Sequence, residues 1–355
     1  MIGVCFQNTT LIPIHLKKEH MNDYTLAITL VLFASFFQGT FGLGMKNIAP
    51  LKWEAWWLIQ SLVAMIIVPV AWALFVIPDL FQVIQETPSY TLFIAAFYGL
   101  LWGIGGILFG ISVEKTGISI TYGIVMGLAA SVGSMIPLFQ IEGAFEQPSF
   151  PIILTGVILL LIGVGITAVA GVKRDQLNTK NSSSNKSIKI GVLIAVTSGI
   201  LSASLNVGFI KAGPVSSLAI ESYSASTQNA SLASWVVVLI GGFIMNGGYA
   251  LFLLIKNNSW SSYKVKNSKK AYFWAVLTGI FWFAALGVYG QGAALMGNLG
   301  PVIGWPILLG LALIISNIWA YRAGEWNNAR KPFKILLGGL AVLISAICLL
   351  GYANY

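Results

Sequence analysis

Ten apolar stretches run through the chain, each long enough to cross a bilayer: 25–45, 56–77, 91–113, 118–140, 151–172, 188–210, 232–255, 271–296, 300–320 and 333–353. A membrane-spanning helix needs about 20 apolar residues. In hydrocarbon each such stretch must pair its backbone groups internally, which commits it to a helix. Only 9% of the residues are charged, where a soluble domain carries about 25%. The fold class that follows is all-α and integral to the membrane, with ten transmembrane helices.

That class removes several functions. A net charge of +9 suggests an anionic partner in a soluble protein. Here the positive residues sit between apolar runs and read as a topology signal, not as a nucleic-acid surface. Cys5 and Cys348 are the only cysteines, and His15 and His20, both before the first span, the only histidines. No metal cluster or histidine proton relay is therefore expected within the membrane. No Gly-rich loop followed by Lys and Ser/Thr is present to hold ATP phosphates. Gly163-Val-Gly165-Ile-Thr-Ala168 has dinucleotide-loop spacing but lies inside an apolar span, where it reads as helix packing. No enzyme and no cofactor is expected. Residues 1–20 lack the order of a signal peptide and are expected to be a flexible extension or an early start assignment.

The polar segment 173–187 (KRDQLNTKNSSSNKS) divides the chain into five spans over 21–172 and five over 188–355. An odd number of spans per half places the second half upside down, the requirement for an inverted repeat. Gly99, Trp102, Gly110 and Gly117 recur at constant offset as Gly279, Trp282, Gly290 and Gly297. Loops after odd-numbered spans hold 17 of the 20 lysines and arginines. By the positive-inside rule these loops, and the 173–187 linker, are expected to be cytoplasmic, with both termini outside.

Gly99, Gly103, Gly106 and Gly110 form a smooth ridge down the third span. Gly123 and Gly127, with Ala130 or Ser131 and then Ser134, are expected to answer it from the fourth. Small residues let helices in lipid approach closely. The same ridges serve static packing or a sliding surface equally well.

Trp53, Trp56, Trp57, Trp260 and Trp326 fall where tryptophan marks the membrane interface. Trp102 and Trp282 lie about ten residues into their helices, where an indole either packs or offers a flat face to a sugar ring. The other deep polar groups are Gln38, Tyr122, Asn206, Asn246, Tyr289, Gln291, Trp305 and Asn317. Each alone can be an interhelical hydrogen bond. Together, uncharged amides, hydroxyls and aromatics suit a neutral polyhydroxylated ligand. No carboxylate is central to a span. Glu54 and Glu114 at helix ends and Glu325 in the last basic loop are either solvated charges or coupling groups.

Three stretches carry a resemblance: Lys46 with Trp53-Glu54 and Trp57; Trp102-Gly103-Ile104-Gly105 with Gly110 and Gly117; and Glu325-Trp326-Asn327-Asn328 before Arg330-Lys331-Pro332. Gly241-Gly242 and Asn246 add to it. From about Met21 to the C-terminus the chain resembles the bacterial L-rhamnose–proton symporter family of the drug/metabolite transporter superfamily. The resemblance implies ten helices in two inverted halves in the inner membrane, and proton-driven uptake of a neutral deoxy-hexose by a monomer or homodimer. Trp102 and Trp282 are then expected as stacking platforms. Gln38, Asn206, Asn246, Tyr289 and Gln291 are expected as hydrogen-bond partners of the sugar, and Glu54 and Glu325 as gating or proton-linked groups. An exporter of another small metabolite within the superfamily is the alternative, and a non-transporting sensor a third.

Overall fold

The computed structural model describes residues 14–178 and 185–353, with side chains over 23–177 and 189–353. Ten helices are long and apolar enough to cross a membrane. They are α1 (Asp23–Asn47), α2 (Trp53–Val76), α3 (Ser89–Thr116), α4 (Ile118–Gln140) and α5 (Phe150–Leu177). The remainder are α6 (Lys189–Tyr223), α7 (Thr227–Lys256), α8 (Lys269–Leu295), α9 (Gly297–Arg322) and α10 (Arg330–Tyr352). No strand occurs among the described residues.

The ten spans fall where hydropathy puts them, and the helix ends differ. The backbone is helical from Ile14, inside the stretch expected to be a flexible extension. A formed span propagates cheaply into flanking residues, one hydrogen bond per residue added. The helix of α5 likewise continues to Asn178, and that of α6 starts at Asn185. The middle of the expected linker, residues 1–13, and the side chains of His15 and His20 lie outside the described residues. α6 outruns its apolar stretch: it breaks after Lys211, and a second helix, Gly213–Tyr223, follows with Pro214 in its first turn. Proline there needs no backbone partner. In α2 a single π turn, Val63–Ile67, interrupts the helix.

The packing of the first five helices is repeated by the last five. α3 lies against α6 and α7, as α8 lies against α1 and α2; α4 lies against α6, as α9 lies against α1. α5 pairs with α10 and α4 with α9. α1 runs antiparallel to α8: Phe37 meets Phe281 edge-on, and further along Gly44 abuts Thr278. Large apolar side chains on the outer flanks, such as Phe75 at 89% exposed and Leu193 at 67%, face the space lipid would fill. The α1–α2, α3–α4, α5–α6, α7–α8 and α9–α10 connections share one end of the molecule, here the basic end.

Two tryptophan expectations are corrected. Trp56 and Trp326 are 0% and 4% exposed and pack inside the protein, not at a lipid interface. Trp56 is buried against Ala271 and Ala275 of α8, and Trp326 against Ala170 of α5 and Leu336 of α10. Position along a span sets depth in the bilayer but not which neighbour covers the ring.

Candidate functional site

The glycine ridge of α3 meets α7, not α4. A Cβ on Gly99 would collide with the Val238 carbonyl oxygen, and one on Gly241 with that of Ala96. Gly103 faces Met245, and Gly106 lies near the Asn246 amide. Beyond Gly110 the space is open. Gly123 and Gly127 of α4 face Ala168 and Val164 of α5. Because α3 and α4 both clasp α6, their small faces are turned away from each other.

This close approach sets Trp102. Its ring lies over Gly242, where a Cβ would stand 3.0 Å from it. It reaches across to Trp282 of α8, with ring centroids 5.3 Å apart and planes tilted by 30°. Trp282 is 7% exposed and Trp102 half-buried. One turn along α7, Asn246 donates to the Gly242 carbonyl at 3.0 Å. Its Oδ1 accepts from the Trp57 indole at 3.3 Å, and Trp57 is stacked on Trp53. Trp102, Trp282, Asn246 and Trp57 thus form one aromatic and amide cluster drawn from four helices.

A second cluster lies nearer the end away from the basic connections. Asn206 of α6 donates to the carbonyls of Gly133 (2.9 Å) and Pro301 (3.0 Å), and its Oδ1 accepts from Tyr289 Oη at 2.7 Å. Both residues are 0% exposed. Trp305 donates to the Ala129 carbonyl at 3.0 Å and meets Tyr289 edge-on. Phe209 is stacked on Trp235 at 4.5 Å, against the same tyrosine. α4, α6, α8 and α9 are tied at one level, and both N–H donors of the Asn206 amide are taken, which leaves one lone pair of Oδ1 for a ligand in this state.

The remaining expected contacts are dispersed. Gln291 donates to Asn229 at 2.9 Å, and Asn317 donates only to its own helix at Leu313. Gln38 Oε1 is buried with no hydrogen-bond partner among the described residues. It lies seven residues from Val31, which packs near Gly304, so helical spacing puts both on one face of α1.

The two carboxylates sit at the basic end, at separate places. Glu54, in the first turn of α2, is 6% exposed. Its Oε1 accepts from Ser259 Oγ at 2.6 Å and Asn257 Nδ2 at 3.2 Å. Beside it Tyr263 donates to the Ala55 carbonyl, and its phenol is pushed up to about 12, first by burial and then by Tyr272 and Glu54. Glu325 bridges two cations, Lys46 in the last turn of α1 at 2.7 Å and Arg174 in α5 at 3.0 Å. Arg174 also binds Asp175 at 2.9 Å and lies over the Trp326 ring at 4.8 Å. In the sequence Arg174 reads only as a topology charge, and Lys46 as that and as part of the stretch with Trp53-Glu54 and Trp57. Nothing in the local sequence pairs them with a residue 279 or 151 positions away.

Ten apolar spans packed in repeated order around a buried, uncharged aromatic and amide centre define a multi-pass membrane transporter. The chain belongs to the L-rhamnose-proton symport protein (RhaT) family, whose model matches residues 21–354. Its relatives include the L-rhamnose-proton symporter of Escherichia coli O1:K1, 28% identical over 342 residues, covering 93% of this chain and 98% of that protein. The symporter of Klebsiella pneumoniae subsp. pneumoniae is 28% identical over 345 residues, covering 92% and 97%. That of Shigella dysenteriae serotype 1 is 29% identical over 343 residues, covering 93% and 98%. Members of this family are carriers rather than enzymes, and the chain is a multi-pass protein of the inner membrane.

Proposed function

We propose that this chain takes up L-rhamnose, or a closely related neutral sugar, together with a proton by alternating access. The two units that rock are 21–172 and 188–355, in inverted orientation, joined by a cytoplasmic linker over 173–187. The observation that carries the reading is the Trp102–Trp282 pair, one indole from each half, beside the Asn246 amide. An aromatic face covers the C–H side of a sugar ring, and neutral amides match its hydroxyls without a buried charge to desolvate.

The basic end is the cytoplasmic one, and both termini are outside. The Asn206–Tyr289 cluster then seals the centre from the exterior. On outward opening it separates, which frees Asn206, Tyr289 and, nearer the surface, Gln291 to meet the sugar. Gln38 and Asn246 serve it from the cytoplasmic side. Glu54 and Glu325 act at the cytoplasmic end, as proton-linked group and gate respectively. A proton moving down 100 mV releases about 2.3 kcal/mol, enough for roughly 50-fold accumulation of a neutral sugar. One chain supplies both halves of the centre, as a monomer or within a homodimer.

The test is labelled L-rhamnose uptake into proteoliposomes, with an inward proton gradient and with that gradient collapsed. Accumulation that vanishes on collapse is expected. Accumulation that persists would point to another coupling ion. No flux from folded protein would overturn the sugar assignment and favour a carrier of another metabolite.

A further inference from the structure

At the basic end, a cavity of about 1010 Å³ opens between the end of α5 and the start of α10. Four cations line it: Lys173, Arg330, Lys331 and Lys334. Among the described residues none of the four is ion-paired. The nearby carboxylates, Asp175 and Glu325, are held by Arg174 and Lys46. Residues 178–188, which follow directly in sequence, contain no Asp or Glu, so this stretch brings no countercharge. Asn327 and Asn328 add amide donors, while Leu177 and Ile335 make part of the wall apolar.

A second, narrower groove of about 330 Å³ adjoins it on the other flank of α5. Its walls are Ile120 and Ile124 of α4 with Ala168, Val169 and Val172 of α5. Lys173 and Gln176 line both spaces, so the cationic cavity and the apolar groove meet across the α5 surface. Both lie near the basic ends of these spans.

We propose that this composite site binds one anionic phospholipid, its phosphate among Lys173, Arg330, Lys331 and Lys334 and an acyl chain in the α4–α5 groove. Four clustered cations with no ion-pair partner among the described residues favour a phosphate, and basic pockets between membrane helices suit anionic headgroups. The groove decides the source. A soluble phosphate would use only the cationic cavity, whereas a lipid uses both and gains from the apolar area it buries. The site is separate from the central tryptophan pair and its ligand.

The experiment titrates the purified full-length protein in detergent with phosphatidylglycerol or phosphatidylcholine of matched chains and reads bound lipid by native mass spectrometry. Phosphatidylglycerol is expected to be retained about tenfold better. Lys173→Gln/Arg330→Gln/Lys331→Gln weakens it by about fivefold per charge removed. Should that variant misfold, Lys334→Gln alone, at one exposed side chain, is expected to cost about fivefold. Val169→Trp, at a residue 49% exposed, fills the groove and weakens the lipid while sparing inorganic phosphate. Equal retention of the two lipids, or retention unchanged by the charge variants, overturns the site. Displacement by millimolar inorganic phosphate together with indifference to Val169→Trp assigns it to a free anion instead.

Discussion

Trp102 of α3 and Trp282 of α8 lie with ring centroids 5.3 Å apart, in corresponding helices of the two sets of five. They are the closest aromatic contact between those helices, and Gly242 is what leaves room for the first of them. If they form the sugar platform, Trp102→Ala or Trp282→Ala should raise the KM for L-rhamnose by about tenfold or abolish uptake. Surface expression should stay near wild type. Trp282→Phe, which keeps a ring, should lose less than the alanine variant. Initial uptake rates across sugar concentrations decide it, and wild-type kinetics in Trp102→Ala would remove the stacking role.

The Asn206–Tyr289 hydrogen bond is expected to hold the exterior end shut. Tyr289→Phe leaves a buried amide oxygen without its donor, at about 1–3 kcal/mol. The closed state is weakened, and uptake should fall several-fold. Asn206→Ala, which also strips the Gly133 and Pro301 carbonyls of their donor, should cost more, and the double variant should be no worse than that single, because the Asn206–Tyr289 bond is already lost in it. Strictly additive losses in a double-mutant cycle on uptake rate would show that the two act independently.

Glu54 and Glu325 should separate in behaviour. Glu54→Gln is expected to abolish proton-driven accumulation while sugar exchange across the membrane persists, since the sugar contacts are untouched. Glu325→Gln should slow both modes, because it releases Lys46 and Arg174 together. The Lys46 contact should account for no more than about 1 kcal/mol of stability, as the Lys46 side chain is 54% exposed and water screens that pair. Swapping the charges of Lys46 and Glu325 should fail to restore rate, since Arg174 then faces a lysine. Counterflow and accumulation assays on the same vesicles distinguish these outcomes.

The glycines of α3 should differ in cost. In Gly99→Ala the new carbon collides with the Val238 backbone, so α3 and α7 must part, and the fluorescence-monitored melting temperature and uptake should both fall sharply. Gly110→Ala meets nothing within 4 Å and should melt like wild type. A tolerant Gly99 would mean that α3 and α7 can part at little cost.

What the sequence determined alone is what each segment owes to the solvent around it. Ten runs too apolar for water, a centre without carboxylates and basic residues gathered in alternate loops are local properties, legible one segment at a time. The tertiary structure decided who meets whom. The spacing of Gly99, Gly103, Gly106 and Gly110 announces a smooth face but not its partner, which is α7 rather than α4. A deep Asn206 reads as a ligand contact, yet both its donors are given to Gly133 and Pro301 and its oxygen accepts from Tyr289. Lys46 and Arg174 read as topology signals until the chain brings Glu325 between them. Partition into a bilayer is a sum over residues of one segment, whereas close approach and hydrogen bonding depend on the shapes of two segments far apart in the chain.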